Sequence, residues 1–125
     1  MPLSQDINEF QEVLNTISSS NGIITNSNNH TLILSPSTNK YISIDSKNMS
    51  MTNQGVNSFI ALLFLSDGNT EILLEQVRIS PRDTWILDKK FIIKSDNKNL
   101  IIKFEEASSV NLHWNIVYNT INTES

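Results

Sequence analysis

The sequence has no cysteine in its 125 residues, and only three glycines and three prolines. A chain of this length buries roughly two thirds of its unfolded surface, so a single domain needs no disulfide bond to be stable. The glycines lie far apart, which excludes the glycine-rich loop that binds phosphate groups. Neither paired cysteines nor two histidines at helical spacing are present, so the common zinc motifs are missing too.

Positive charge and long apolar runs are also scarce. Nine Lys and Arg residues stand against 13 Asp and Glu residues, giving a formal net charge of -4, which argues against nucleic-acid binding. The longest apolar run, residues 59–65, has the length of a buried strand, whereas a membrane helix needs about 18 residues. The N-terminus lacks a positive region followed by an apolar one, so no signal peptide is expected. The sequence therefore predicts neither a nucleic-acid partner nor a membrane partner.

What the sequence does contain is a series of short apolar segments. Residues 77–118 hold four of them, separated by polar turns at intervals of about ten residues, as in an antiparallel sandwich or barrel. The last segment alternates apolar with polar side chains: Val110, Leu112, Trp114 and Ile116 against Asn111, His113 and Asn115. A strand places these two sets on opposite faces of a sheet.

The phase of the pattern changes between residues 41 and 51. Ile42 and Ile44 share one face of a strand, but Met49 and Met51 fall in the opposite phase. A bulge, or a break into two strands, is therefore expected near residues 46–47.

Further segments predict the strands and turns that follow. Residues 59–65 are apolar on both faces, which predicts a central strand, covered on one side by the second sheet and on the other by a helix or a neighbour. Asp67-Gly68 between two apolar runs predicts a tight hairpin. Pro81 cannot donate to a ladder, so residues 80–83 should interrupt the pairing. Residues 119–125 read as a polar tail.

The N-terminal segment has a different rhythm. Apolar residues recur at intervals of three and four, which predicts one amphipathic helix over residues 4–19 with Gly22 as its stop signal. The stripe consists of Ile7, Phe10, Val13, Leu14 and Ile17. Two interpretations stay open: the helix covers an end or face of its own sandwich, or it is an arm that docks on a neighbouring subunit. This stripe is the candidate interface.

No arrangement of residues indicates catalysis. A nucleophile needs a base, usually histidine, with a third group that orients it. The two histidines are His30, at the start of a strand, and His113, on the polar face of the last segment. Glycoside hydrolysis needs two carboxylates across a cleft, and the acidic residues show no such pairing. The sequence is therefore predicted to be non-enzymatic, with no cofactor and no metal site.

Aromatic side chains raise a second possibility, because sugar rings stack on exposed aromatic faces. Trp114 shares a face with buried-type residues and is predicted to lie in the core. Trp85 follows a turn and is the candidate exposed aromatic residue. A stand-alone module that binds a glycan or a host receptor is therefore the alternative hypothesis.

The order of segments from residue 31 to residue 118 resembles small β-sandwich structural proteins of tailed bacteriophage particles. The similarity lies in a short strand and turn (TLILSPSTNK), a strand ending in small polar residues (ISIDSKNMSMTNQG) and an apolar strand (SFIALLFL). It continues in EILLEQVRISPRDTWILDKKFIIKSDNKNLIIKFEEASSVNLHWNIV, where a bend with proline precedes short strands and turns. Residues 96–99 stand where many relatives have a Gly-Asp turn.

This resemblance implies a role in the virion, as a capsid decoration or cement protein or a neck or tail component. It also implies homo-oligomers, contacts with major capsid or neck and tail proteins, and assembly in the host cytoplasm. The expected fold is an all-β antiparallel sandwich, jelly-roll or immunoglobulin-like, with about seven or eight strands and one N-terminal helix. The expected division is a helical arm (1–22), a sandwich domain (23–120) and a tail (121–125).

Overall fold

The computed structural model describes residues 15–36, 39–94, 98–105 and 109–122, and these residues form ten β-strands and no helix. The strands are β1 (Asn15–Ile24), β2 (His30–Ile33), β3 (Lys40–Ile44), β4 (Met49–Asn53), β5 (Phe59–Ser66), β6 (Glu71–Ile79), β7 (Thr84–Ile86), β8 (Phe91–Lys94), β9 (Asn99–Glu105) and β10 (Leu112–Asn122). All pairings are antiparallel and form two sheets, which confirms the predicted all-β class. Within the described ranges, no helix could span a membrane.

The six-stranded sheet is built around β10. One edge of β10 pairs with β1 along its whole length, from Asn15 opposite Ile121 to Ile24 opposite Leu112. The other edge pairs first with β4 and then with β3. β7 continues the sheet beyond β4, and β8 continues it beyond β3. The four-stranded sheet has the order β2-β9-β5-β6, so the apolar strand β5 is central as predicted.

The two sheets enclose one apolar core. Buried side chains from both sheets form a single cluster, and β5 contributes Phe59, Ala61 and Leu63 with no exposed surface. The ring of Phe104 meets that of Phe59 edge to face, with centroids 5.3 Å apart. The predicted alternation of β10 is confirmed, since Leu112, Trp114 and Ile116 are buried, as is Val110 just before the strand.

The phase change in the sequence is a break into two strands. β3 ends at Ile44 and β4 begins at Met49, and both lie along the same edge of β10. Lys47 adopts a positive φ of 73° in the intervening turn, where the Asn48 amide donates to the Asp45 carbonyl over 3.0 Å. The Asn48 carbonyl accepts from Val117, so the turn stays attached to β10.

The predicted N-terminal helix is wrong for residues 15–19. They belong to β1, which continues through Gly22, the expected stop signal. Pairing with ten residues of β10 outweighs the local helical spacing, because tertiary contacts override a weak local propensity. Residues 4–14 of the predicted helix lie outside the described residues.

The predicted polar tail also begins too early. Residues 119–122 belong to β10, where Asn119 pairs with Ser43 and Thr120 with Ile42. The division of the chain into an arm, a sandwich domain and a tail stays a prediction.

One buried amide links three parts of the fold. Asn53, at the end of β4, has no exposed surface. Its Nδ2 donates to the carbonyls of Asn57 and Ile79 over 2.8 and 2.9 Å, and its Oδ1 accepts from the Gly55 amide over 2.9 Å. β4, the following turn and the end of β6 are therefore fastened to one another.

Candidate interaction surfaces

The histidines lie next to amides. His113 Nδ1 is 3.4 Å from Gln54 Nε2, and His30 Nε2 is 3.0 Å from Asn26 Oδ1. No group of three or more metal-binding side chains occurs within the described ranges. The histidine contacts are those of hydrogen-bonded surface residues, as the sequence predicts.

The two tryptophans both pack against the core. Trp114 is 8% exposed, which confirms its predicted place there. Trp85 is half-buried, pairs with Met51 across β4 and β7, and also contacts the core cluster. Its role as an exposed sugar-stacking ring stays a prediction, although the side chain is partly buried against the core cluster.

A broad surface is formed by the side chains of the six-stranded sheet that point away from the core, and we call it the outer face. Residues that are directly opposite on paired strands share a face, so the register defines its members. They are Ile17, Ser19, Asn21, Ile23, Tyr41, Ser50, Thr52, Thr84, Ile86, Ile92, Lys94, His113, Asn115, Val117, Asn119 and Ile121.

The outer face is almost uncharged and combines exposed aliphatic side chains with uncharged polar ones. Its members include no carboxylate and one formal positive charge, on Lys94, although the chain carries a net charge of -4. Five of the nine large exposed apolar side chains in the described ranges lie on it: Ile17, Ile23, Ile86, Ile92 and Val117. Depletion of charge and exposed aliphatic groups together are typical of protein-protein contact surfaces.

The opposite side of the sandwich has a different chemistry. On the four-stranded sheet, Lys103 pairs with Glu71 and its ammonium lies 5.1 Å from the centre of the Phe64 ring. Charged side chains therefore cover part of the apolar surface of β5. The two outer surfaces of the molecule are thus distinct, and the uncharged one is the better candidate for a partner.

A groove opens between the sheets on the side of β1 and β2. It has a volume of about 470 Å³ and includes Ser20, Leu34, Lys40 and Tyr118 in its lining. Leu34 is exposed at its mouth. The groove adjoins the free edge of β1.

The structure places one residue of the predicted interface on the outer face. Ile17 lies there with 71% of its surface exposed, in a strand instead of a helix. Ile7, Phe10, Val13 and Leu14 lie outside the described residues. The outer face as a whole was not predicted from the sequence, although Ile17 and Ile23 lie among uncharged polar residues at a spacing that places both on one face of a strand.

No protein-family model matches the chain, and no curated protein matches it by sequence.

Comparison by structure finds similar folds. A protein of the acid-stable capsid of Helicobacter pylori bacteriophage KHP30 matches with a TM-score of 0.60 and 12% identity, over 90% of this chain and 92% of that one. A pentameric capsid protein from metagenomic phage sequences matches with a TM-score of 0.51 and 12% identity, over 98% and 79%. A Bacillus endospore appendage protein, from a family of disulfide-linked pili, matches with a TM-score of 0.51 and 10% identity, over 88% and 91%. The chain therefore has a β-sandwich fold that capsid and pilus proteins share.

Proposed function

We propose that this protein is a non-enzymatic structural component of a tailed-phage particle, which decorates or cements the capsid or belongs to the neck or tail. The observation that carries the proposal is the outer face, a nearly uncharged surface with five exposed aliphatic side chains. A surface of this kind gains free energy when a partner removes it from water. The capsid proteins with similar folds support a particle as the place where this happens.

Assembly in many copies makes such a surface effective. Each contact can be modest, because linked contacts on a regular shell act together. A pilus of the kind seen in the similar appendage family is joined by disulfides, whereas this chain has no cysteine. This chain therefore cannot form disulfide bonds with a partner, and the aliphatic side chains of the outer face become more important for assembly.

Mass spectrometry of particles purified from the phage that encodes the chain tests the role directly. The expected result is a fixed number of copies per particle that survives extensive washing. Absence of the chain from purified particles would overturn the proposal.

Add-back to particles that lack the chain tests the surface. Val117→Lys puts an ammonium into the centre of the outer face, and an unpaired charge in an apolar contact should weaken binding by about tenfold or more. Val56→Lys is the matched control, since Val56 is 81% exposed but lies in the turn between β4 and β5. Equal binding of the two variants would exclude the outer face as the contact.

A further inference from the structure

We propose that the free edge of β1 pairs with β1 of a second copy, antiparallel and about a two-fold axis through Ser20. The two six-stranded sheets would then form one continuous sheet in a homodimer. This inference deepens the proposed function and rests on its premise that copies of the chain associate. It concerns the backbone edge of one strand, together with Ile17 and Ile23, the exposed outer-face isoleucines of that strand.

Among the described strands, β1 is a long edge strand with no protecting feature of its own. Within the described part of the chain it pairs with β10 alone, through ten residues in unbroken register. Its sequence, NTISSSNGII, contains neither a charge nor a proline. A long, regular, uncharged edge exposes a row of backbone donors and acceptors that can bind another strand.

The other edges of the molecule are protected. β7 has three residues, and β8 has four and ends in Lys94. β6 carries Glu71 and Arg78, and its register with β5 shifts between Leu63 and Phe64. β2 has four residues and an irregular register with β9. Short length, charge and bulges are the usual means of blocking edge pairing, and β1 has none of them.

The exposed side chains of β1 fix the register. Ile17 and Ile23 are 71% and 64% exposed and lie on the same face. Ser20 is midway between them, so a two-fold axis there places Ile17 of each copy directly opposite Ile23 of the other. Opposite residues in antiparallel strands share a face and touch, so both isoleucine pairs would leave water.

Self-complementarity identifies a second copy as the occupant. A two-fold contact uses the same patch on both subunits, so the spacing of the two isoleucines is matched automatically by the partner. Since β1 bears no charge, its approach to another β1 meets no like-charge repulsion. An uncharged edge equally offers no complementary charge by which a different protein would be selected.

Charge substitutions at the two exposed positions test edge and register together. In the proposed dimer, Ile17→Lys with Ile23→Lys places like charges opposite each other, whereas Ile17→Lys with Ile23→Glu places opposite charges there. Light scattering should give twice the 14.1 kDa chain mass for the wild type and for the Lys/Glu variant, and the single-chain mass for the Lys/Lys variant. Both side chains are exposed, so neither double variant should unfold the sandwich.

A single introduced cysteine provides a second test of the dimer, because the chain has no cysteine of its own. Ser20→Cys would place two sulfur atoms across the axis, at a Cα separation of about 4.5–5.5 Å that a disulfide can span. Mild oxidation should cross-link it faster than Val56→Cys, although Val56 is the more exposed residue.

The outcomes separate this inference from the proposed function. A monomeric wild type, a Lys/Lys variant that stays dimeric, or cross-linking of Ser20→Cys no faster than Val56→Cys would each overturn the edge pairing. Detection of the chain in purified particles is independent of all three results. If the chain is found there and the edge tests fail, the particle role stands and the β1 dimer does not.

Discussion

The most constrained polar residue in the described ranges is Asn53. A buried amide is stable only when its donors and acceptor are satisfied, and Asn53 satisfies them with three backbone groups on different segments. The same side chain lies across β4 and β10 from Leu112, in an otherwise apolar region. Nothing in the local sequence marks this role, since asparagine is abundant along the chain and is elsewhere a turn or surface residue.

Asn53→Ala should lower the free energy of unfolding by about 2–3 kcal/mol, because it leaves buried backbone groups without partners. Urea denaturation followed by tryptophan fluorescence measures the change. The matched control is Asn115→Ala on the exposed outer face, which should change stability by less than about 0.5 kcal/mol. If both variants lost a similar free energy of unfolding, the hydrogen bonds of the buried Asn53 amide would not contribute specifically to stability.

Gly22 and Trp114 form a second constrained pair. A Cβ atom at residue 22 would lie 3.1 Å from the indole of Trp114, which is its cross-strand neighbour and is fixed in the core. Gly22→Ala should stabilise the protein by about 0.4–1 kcal/mol, because alanine lowers the entropy of the unfolded chain. Overpacking against Trp114 should destabilise it by about 1–3 kcal/mol. The free energy of unfolding is therefore expected to fall by about 1 kcal/mol.

Thermal unfolding and tryptophan emission check this prediction together. The emission maximum of the Gly22→Ala variant should shift as the indole is displaced. Ser18→Ala, on the same face of β1, should shift neither quantity. A more stable Gly22→Ala protein with unchanged emission would mean that the added methyl group fits without displacing Trp114.

At the scale of elements, strands that carry their own signal could be predicted from the sequence. β10 shows strict alternation, β5 is apolar throughout, and the hairpin between β5 and β6 contains Asp67-Gly68. β1 could not be predicted, because Ile17 continues a helical spacing that begins upstream. Its strand conformation depends on β10, almost a hundred residues later, and local periodicity contains no information about that partner.

The outer face shows the same limit. Its members come from six strands, and the sequence reveals that each strand has an exposed side without revealing which exposed sides meet. Two strands, β3 and β4, share one edge of β10, an arrangement that the phase change at residues 46–47 indicated only as a bulge or a break. Fold class was therefore predictable, while the candidate surface required the strand order.

The Asp67 hairpin predicts a specific pH dependence. The backbone amides of Thr70 and Asn69 donate to the carboxylate over 2.7 and 2.9 Å, which lowers the pKa of Asp67 below its usual range. A lowered pKa means that the folded state favours the ionised form. The stability that the ionised Asp67 gives to the folded state is fully present above the ordinary pKa of about 3.9. It is lost as the pH falls through the lower pKa of the folded state.

Asp67→Asn removes the charge and keeps an oxygen acceptor. Its stability should therefore decrease less than that of the wild type as the pH falls from about 5 to about 2. Thermal unfolding midpoints over this range measure the difference. If the unfolding midpoints of the two proteins fell equally with pH, Asp67 would not be the source of the pH dependence.

At the scale of the whole molecule, almost all charged side chains lie away from the outer face. The outer face has no carboxylate, and the four-stranded sheet carries the Lys103–Glu71 pair. Glu75 of β6 lies 3.0 Å from Lys89 in the turn between β7 and β8, so another ion pair bridges the rim of the sandwich. These exposed or partly exposed pairs contribute little stability, and their position keeps charge away from the surface proposed to bind a partner.

This separation predicts how binding to particles should respond to salt. An apolar contact is not weakened by screening and is strengthened slightly by excluded salts, whereas a contact between charged surfaces weakens as the Debye length falls from about 10 Å at 0.1 M to about 3 Å at 1 M. The affinity of the wild-type chain for particles that lack it should therefore stay within about threefold, or rise, over this range. Sedimentation of particles with labelled chain measures it. Val117→Lys provides the comparison, since the ammonium it adds should make the remaining binding depend on salt. A tenfold or greater fall in wild-type affinity would mean that charged side chains outside the outer face make the contact.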